Sequence, residues 1–448
     1  MGRPAGAVRK GPPTLAAVRI LLEPNAHHHL NAGDAAMLQV AFRRLRELCP
    51  EATIQVITDA PDRLERLCPG AVPVPAAGRR IWFGDRYFGD RLHRGLPAWT
   101  ATALDRVEDG MRRRWPAAAR AVIEAKGVLK RSPPRELRDF LDAARHSDAL
   151  VVGGAGAITD PFAPLALTVL ELVHGAAERG IPVALFGQGI GPIEDRELWL
   201  RASEGLPRAS LIALREGRAG PGILRAMTVP EDRIEVTGDD AVELAHAHGH
   251  EAARGSAIGL SVRVARYSGL DVDSLGPAVE AVTTLAGRRR VQLVPIPISA
   301  VANEADAAVI ERLTGSAAAF TGMPAPRQPV DLMERIVRCR IVVTGSYHAG
   351  VFALAAGIPT VGLVGSPYYA DKFHGLAHQF GRGCAVVDLG DPDGAGRVAS
   401  AVDELWDAAE DLRGPLLEAA GAQVEAGRAA YRRFAAMLGV HRAGREAA

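Results

Sequence analysis

One pattern recurs along the chain and limits what it can fold into. A short apolar run, rich in β-branched residues, leads into a glycine-rich or polar break, and a segment with helical spacing follows. Runs this apolar are typical of strands buried on both faces, and their alternation with helices favours parallel sheets. Such sheets bring the breaks to one edge, where ligands bind. The predicted strands cover residues 18–22, 53–57, 149–152, 183–186, 211–214, 234–237, 258–262, 291–295, 341–343, 360–364 and 385–387.

The length of the chain indicates more than one domain. Its 448 residues are too many for a single hydrophobic core. We predict an α/β fold in which two Rossmann-like, doubly wound domains face a cleft and a C-terminal helix follows. The predicted parts are a disordered leader at 1–16, a first domain at 17–247 with a helical insertion at about 77–147, a second domain at 256–395, and a helical segment with a tail at 396–448.

Composition excludes several classes of function. The formal net charge is +1, which provides no general field for nucleic acid, so we predict no nucleic-acid partner. Cys49, Cys68, Cys339 and Cys384 lie far apart, which argues against a zinc site or a disulfide framework and fits a reducing cytosol. No apolar run reaches the roughly 18 residues that a membrane-spanning helix needs. We therefore predict a cytoplasmic protein without a metal, a cofactor or a transmembrane segment.

The stretch at 341–381 carries the densest set of chemical groups. An apolar run ends at Gly345 and Ser346, and helical spacing begins at Tyr347. His348 therefore falls near a helix N-terminus, whose free N–H groups and partial positive charge favour an anion. A histidine at this position either takes part in chemistry or only caps and packs the turn, and geometry has to separate the two.

A second candidate region follows the first predicted strand. Asn31, Gly33 and Asp34 come directly before an amphipathic helix whose apolar stripe begins at Met37. Asp34 stands where an N-cap belongs, so one interpretation is a cap and a glycine turn. The functional interpretation is that Gly33 lets the backbone approach a ligand while Asn31 and Asp34 contact it.

Further polar groups follow other predicted strands. Gly153 and Gly154 form a glycine-rich break that resembles a phosphate cradle, although the Gly-Lys-Ser/Thr sequence of a P-loop is missing. Gln188 lies in a second glycine-rich break, and Arg215 ends the strand after it. Arg263 follows the first strand of the predicted second domain and is expected at the cleft. Arg215 either binds a ligand or pairs with a nearby acid.

Three consecutive histidines, His27, His28 and His29, occupy the break after the first strand. Adjacent residues rarely converge on one metal ion, and no suitably spaced carboxylate supports a metal site. An acceptor-binding loop and a solvated loop both stay open.

These motifs together resemble the signatures of the polysaccharide pyruvyl transferase family, in the same order and over roughly residues 18–381 apart from the insertion. The resemblance implies a glycosyltransferase-B-like fold. It also implies transfer of pyruvate from phosphoenolpyruvate to hydroxyls of a sugar, giving a cyclic ketal and phosphate. The matching residues are Asn31-x-Gly33-Asp34, Gly153-Gly154-x-Gly156, Gly187-Gln188-Gly189-Ile190-Gly191-Pro192, Arg215-Glu216 with an aspartate after the next strand, His348, and Ala355-Ala356-Gly357-Ile358-Pro359.

The resemblance also implies roles. His348 would protonate the donor, Arg215 and the helix N-terminus near Tyr347 would hold its anionic groups, and Asn31 and Asp34 would orient or deprotonate the acceptor.

One position departs from the family pattern. Ser346 stands where the family usually has an arginine, and serine cannot replace a bidentate anion clamp. Either another cation, Lys372 or Arg263, takes over, or the donor is not phosphoenolpyruvate. The expected acceptor is a sugar or a lipid-linked glycan at the inner membrane surface, with a homo-oligomer left open.

Two alternatives stay open. A glycosyltransferase of the same fold would use a nucleotide-sugar donor, because fold alone does not define function. A sugar- or anion-binding relative without catalysis would keep the cleft, and Ser346 favours it.

Overall fold

The computed structural model describes residues 18–84, 98–129, 135–251, 255–302, 305–315 and 326–447. The predicted leader at 1–16 lies outside this part of the chain. The strands are β1 (Arg19–Glu23), β2 (Thr53–Thr58), β3 (Val72–Pro75), β4 (Ala149–Val152), β5 (Ala155–Ile158), β6 (Val183–Ile190), β7 (Leu211–Leu214), β8 (Ile234–Val236), β9 (Ala257–Ser261), β10 (Leu293–Pro295), β11 (Cys339–Thr344), β12 (Thr360–Val364) and β13 (Cys384–Asp388).

Helices alternate with these strands. They are α1 (Ala32–Leu48), α2 (Pro61–Leu67), α3 (Ala76–Gly84), α4 (Ala98–Arg114), α5 (Pro116–Leu129), α6 (Arg135–His146), α7 (Ala163–Glu178), α8 (Arg196–Gly205), α9 (Gly220–Ala226), α10 (Ala241–Glu251), α11 (Val272–Arg289), α12 (Asp306–Thr314), α13 (Pro329–Ile336), α14 (Tyr347–Ala355), α15 (Pro367–Phe380) and α16 (Gly394–Ala447).

The strands form two sheets, and every pairing in them is parallel. The first sheet has the order β3-β2-β1-β4-β6-β7-β8, with β5 beside β6, and the second has the order β10-β9-β11-β12-β13. The strand order reverses between β1 and β4 in the first sheet and between β9 and β11 in the second. Ligands of doubly wound sheets bind at such reversals. The predicted α/β fold with two parallel sheets is confirmed.

Both faces of the first sheet are buried, as the apolar runs predict. Alternate residues of a strand point to opposite faces, so Leu21 and Leu150 belong to the core under α6 and α7, whereas Ile20 and Val151 belong to the core under α1 and α16. The described part of the insertion at 77–147 is helical, and α6 packs against α3.

The C-terminal helix α16 connects the two sheets. It is 54 residues long and contains Pro415. Its first part places Val398 in the core of the second sheet, and its later part places Tyr431 and Phe434 in the core of the first. The Tyr431 ring stacks on Phe186 with ring centroids 3.6 Å apart, and its hydroxyl donates to Asp240 Oδ2 at 2.8 Å. Among the described helices, none combines the length and the apolarity needed to cross a bilayer.

Tyr431 tests whether α16 stabilises the fold. We expect Tyr431→Ala to lower the free energy of unfolding by about 3–5 kcal/mol, since it removes a fully buried aromatic side chain. Tyr431→Phe should cost about 1–3 kcal/mol, because it leaves a buried carboxylate oxygen without its hydroxyl donor. Glu418→Ala on the exposed side of the same helix is the control. Urea unfolding measures all three, and a Tyr431→Ala protein as stable as the control would contradict this role.

Candidate active site

A cavity of about 260 Å³ lies between the carboxyl ends of the two sheets. Loops after β1, β5, β7, β9 and β11 contribute to it, together with the first turns of α1, α14 and α15. Eight of the twelve predicted site residues line the cavity, namely Asn31, Asp34, Arg215, Arg263, Ser346, Tyr347, His348 and Lys372. The other four, Gly33, Gly153, Gly154 and Gln188, are not among its lining residues.

His348 lies in the first turn of α14, and its side chain is only 11% exposed. The imidazole packs directly against Gly33 of α1, where a β-carbon would overlap the ring. Gly33 is therefore required by the approach of the histidine. His348 Nε2 lies 3.7 Å from Asp239 Oδ2, and neither atom has a hydrogen-bond partner among the described residues.

Burial and charge set the protonation of this pair. Burial lowers the pKa of His348 well below its ordinary 6.5, and the cations Arg215, Lys372 and Arg263 lower it further. Burial raises the pKa of Asp239 to about 6, while Arg215 opposes the rise. At neutral pH without ligand, the imidazole is neutral and the carboxylate is mostly ionised. A bound anion would favour the protonated imidazole, since it offsets the surrounding positive charge.

Arg215 is buried at the end of β7, with only 3% of its surface exposed. Gly156 and Gly189 make room for it, because a β-carbon at either position would approach its Nη2 to within 2.6 Å. The guanidinium lies over the Tyr347 ring, 4.4 Å from the centroid. Burial opposes its charge, but Tyr347, Tyr368 and Asp239 raise the pKa. In the described part of the chain no carboxylate lies within salt-bridge distance of this guanidinium, so it is available to an anion.

The two cations that could replace the missing arginine differ. Arg263 forms a bidentate ion pair with Asp306, with nitrogen–oxygen distances of 2.8 and 3.0 Å. Lys372 Nζ instead lies over tyrosine rings, 3.9 Å from the Tyr368 centroid and 5.2 Å from that of Tyr369. Burial lowers the pKa of Lys372 well below its ordinary value, and Arg215 adds to this effect. Because no described carboxylate forms an ion pair with Lys372, it is the better candidate to receive an anion, whose charge would favour the ammonium form.

The start of α14 faces the same cavity. Thr344 Oγ1 accepts the N–H of Ser346 at 2.8 Å and donates to the Ser346 carbonyl oxygen at 2.9 Å, which fixes the turn. Ser346 occupies the N-cap position, but its side chain makes no cap hydrogen bond. The N–H groups of the first helical turn therefore add to the positive end of the cavity.

Asn31 and Asp34 have different roles at the start of α1. Asn31 Oδ1 accepts the N–H groups of Gly33 and Asp34 at 2.9 and 3.3 Å, so this side chain is the N-cap. The backbone here also joins the second sheet, because Ala32 N–H donates to Ile298 O at 2.9 Å. Asp34 lines the cavity, and its charge favours the protonated form of Lys372.

Gly153, Gly154 and Gln188 support the site from behind. The N–H of Gly153 already donates to Glu23 O at 2.8 Å, so it does not cradle a phosphate as the glycine pattern predicts. Its carbonyl oxygen accepts Gln188 Nε2 at 2.5 Å. A β-carbon at Gly154 would overlap Met37. These residues permit close packing of loops and do not contact the cavity.

The three histidines point to different partners. His27 Nε2 lies 2.8 Å from Glu23 Oε1, His29 Nε2 lies 2.9 Å from Thr58 Oγ1, and His28 is exposed. No group of metal-ligating side chains is found in the described residues.

Sequence reasoning missed several residues of the site. Asp239 is noticed in the sequence only as an aspartate after a strand, and its neighbour Asp240 looks equivalent. In the structure Asp240 pairs with Arg44 at 2.8 Å on the far side, whereas Asp239 faces His348. Asn25 and the aromatic residues Tyr267 and Tyr368 also line the cavity. Of these three residues, only Asn25 could have been predicted from the sequence, because it closely follows β1.

Comparison with known proteins agrees with this architecture. A family model described as polysaccharide pyruvyl transferase matches residues 31–367. The structure of UDP-GlcNAc 2-epimerase from Neisseria meningitidis bound to UDP-GlcNAc is similar, with 11% identity, 92% of this chain and 97% of that chain covered, and a TM-score of 0.53. A UDP-glucosyltransferase from Polygonum tinctorium has 12% identity, covers 94% and 98% of the two chains, and has a TM-score of 0.53. No curated protein matches. The predicted glycosyltransferase-B-like fold is confirmed.

Gly33 tests the contact between the two sheets. We expect Gly33→Ala to lower the free energy of unfolding by about 1–3 kcal/mol, since the new methyl group has no space beside the imidazole. Gly287→Ala is the matched control, because this helical glycine has open space where a β-carbon would lie. The control substitution should stabilise the protein by about 0.5–1 kcal/mol. Urea unfolding of both variants measures this, and equal stability would contradict the packing.

Proposed function

Because this chain belongs to the polysaccharide pyruvyl transferase family, it is a transferase, and we propose that it moves pyruvate from phosphoenolpyruvate to two hydroxyls of a sugar or glycan. One observation carries the proposal. A single cavity holds an arginine that has no acidic partner among the described residues, a buried lysine, a helix N-terminus and a histidine–aspartate pair. Such groups can bind a small, multiply charged anion and transfer a proton to it.

The reaction needs one proton donor and two proton acceptors. A proton is added to the methylene carbon of phosphoenolpyruvate, which makes its central carbon electrophilic. The first hydroxyl attacks this carbon and loses its proton, phosphate then leaves with the bridging oxygen, and the second hydroxyl closes the ketal. One of the two hydroxyl protons ends on the phosphate, and the other replaces the proton used on carbon.

His348 suits the role of proton donor when the donor substrate is bound. The empty site disfavours its protonated form because three cations surround it. The phosphate and carboxylate of the substrate reverse that field, and Asp239 stabilises the imidazolium across 3.7 Å. Substrate binding and protonation of His348 are thus coupled. Asp239 acts through His348 and is a positioning residue.

The positive end of the cavity would hold the donor. Arg215 provides a guanidinium without an acidic partner in the described residues, and Lys372 supplies the charge that Ser346 lacks. The ion pair of Arg263 with Asp306 makes it a structural residue of the second sheet. Asp34, whose charge acts on Lys372, would orient the acceptor hydroxyl or remove its proton. The acceptor, a sugar or a lipid-linked glycan, and the cytoplasmic location stay predictions.

Transfer from a nucleotide sugar is the second candidate, because proteins acting on such compounds share the fold. The cations and the histidine–aspartate pair that converge on the cavity favour the smaller, multiply charged donor.

Phosphate release tests the proposal directly. The protein is incubated with phosphoenolpyruvate and a panel of sugars and glycosides, and phosphate is measured. Release that depends on both donor and acceptor supports pyruvyl transfer. Binding of phosphoenolpyruvate without release supports the binding protein instead. Release of a nucleoside diphosphate from a nucleotide sugar, with none from phosphoenolpyruvate, would replace the proposal with glycosyl transfer.

His348 should be essential to turnover. We expect His348→Ala to lower kcat at least a hundredfold, because general acid catalysis contributes about 10²–10⁴-fold, while the unfolding transition stays cooperative. His378→Ala, an exposed histidine on α15, is the matched control. Phosphate release by His348→Ala at the wild-type rate would exclude it as the proton donor.

Substitutions of Arg215 and Lys372 should weaken donor binding when they remove the positive charge. Arg215→Ala and Lys372→Met should each weaken phosphoenolpyruvate binding by roughly tenfold or more, since each removes a charge-assisted contact with the anion. Lys372→Arg keeps the charge and should retain most of the affinity. Arg218→Ala, an exposed neighbour of Arg215, is the control. Calorimetric titration measures the dissociation constants, and an unchanged value for Lys372→Met would show that another group replaces the family arginine.

A further inference from the structure

Asn25 lies where the strand order of the first sheet reverses, in the loop after β1, and it lines the cavity. Its φ angle is 64°, in the left-handed region that asparagine tolerates better than most residues. The surrounding contacts hold the backbone there. Asn25 N–H donates to Glu23 Oε1 at 2.8 Å, and the Glu23 carboxylate is itself fixed by Arg79 at 2.9 Å and His27 at 2.8 Å.

The orientation of the Asn25 amide is determined by its neighbours. Its Nδ2 donates to the carbonyl oxygen of Gly153 at 3.1 Å. The reversed amide would place two oxygens against each other, so Oδ1 must lie on the opposite side. Oδ1 is buried and has no hydrogen-bond partner among the described residues. A buried carbonyl oxygen without a donor is unfavourable, which makes this atom a site for a donor from outside the protein.

We propose that Asn25 Oδ1 accepts a hydrogen bond from a hydroxyl of the acceptor sugar. The cavity would thus select a neutral polyol beside this side chain. This inference rests on the proposed function and adds a recognition residue to it. An amide oxygen only accepts hydrogen bonds, so it repels the phosphate and carboxylate of the donor. Anionic groups of the donor are thereby favoured beside Arg215 and Lys372, and a hydroxyl of the acceptor beside Asn25.

The cavity also offers aromatic faces to a sugar ring. Phe162 and Tyr267 both line it, with ring centroids 5.1 Å apart. Aromatic faces of this kind pack against the apolar C–H surface of a sugar.

Asn25→Gly tests this assignment without straining the backbone, since glycine adopts the same φ angle. We expect the acceptor KM to rise about tenfold, as for loss of one hydrogen bond to a buried group, with the KM for phosphoenolpyruvate within twofold of the wild-type value. Thr228→Gly is the matched control, because Thr228 also has a positive φ angle of 62° but is exposed and not among the lining residues. Equal loss toward both substrates, or an unchanged acceptor KM, would overturn the proposal.

A second measurement keeps the test independent of turnover. Binding of p-nitrophenyl glycosides of glucose, galactose, mannose and N-acetylglucosamine is followed by ligand-observed NMR, together with their monodeoxy analogues. We expect the wild-type protein to lose affinity for one monodeoxy analogue and Asn25→Gly to bind that analogue and its parent equally. If phosphate release fails but this pattern holds, the proposed function falls and the hydroxyl site stands. If no glycoside binds the wild-type protein, or both proteins respond alike, the hydroxyl site is refuted.

Discussion

The contact between Gly33 and the imidazole of His348 is the constraint on which the rest of the site depends. It brings a helix of the first sheet against a helix of the second with only the imidazole ring between them. The backbone hydrogen bond from Ala32 to Ile298 fixes the same approach, and α16 packs against both sheets at a distance from it. The cavity has its shape because three separate elements hold the two sheets together.

Once the sheets are joined, Arg215 and Lys372 share one buried space, where no described carboxylate forms an ion pair with either. The acidic groups whose charges act on them include Asp34, Asp239 and Glu216. Asp239 keeps an oxygen without a partner, and its pKa is raised to about 6 by burial. Such an arrangement costs free energy in the empty protein. An anionic ligand lowers this cost, so affinity for the ligand is built into the electrostatics of the fold.

The alternation of apolar runs, breaks and helices was sufficient to predict the fold and the charged residues that line the cavity. Each predicted polar residue needed only to follow a strand, since parallel topology carries it to one edge. Sequence could not separate Asp239 from Asp240, because that choice depends on Arg44 and Tyr431, which are distant along the chain. Nor could it show that the Gly153 N–H is bonded to Glu23, since adjacent strands meet there only after folding. The glycine-rich breaks of this chain permit close packing of the backbone. The same glycine pattern would also have been consistent with a phosphate-binding loop.

The serine at position 346 can be understood from the charges that surround it. An arginine at this position would lie at the start of α14 and would add a further cation to a space where burial already opposes the charges of Arg215 and Lys372. Lys372 reaches the cavity from α15, and its ammonium rests on the rings of Tyr368 and Tyr369, which stabilise a cation without a counter-charge. A lysine provides a point charge where arginine would provide a planar fork. In the proposed reaction, the donor would therefore be held by charge and by the fixed guanidinium of Arg215, and Arg215 and the N–H groups of α14 would set its orientation.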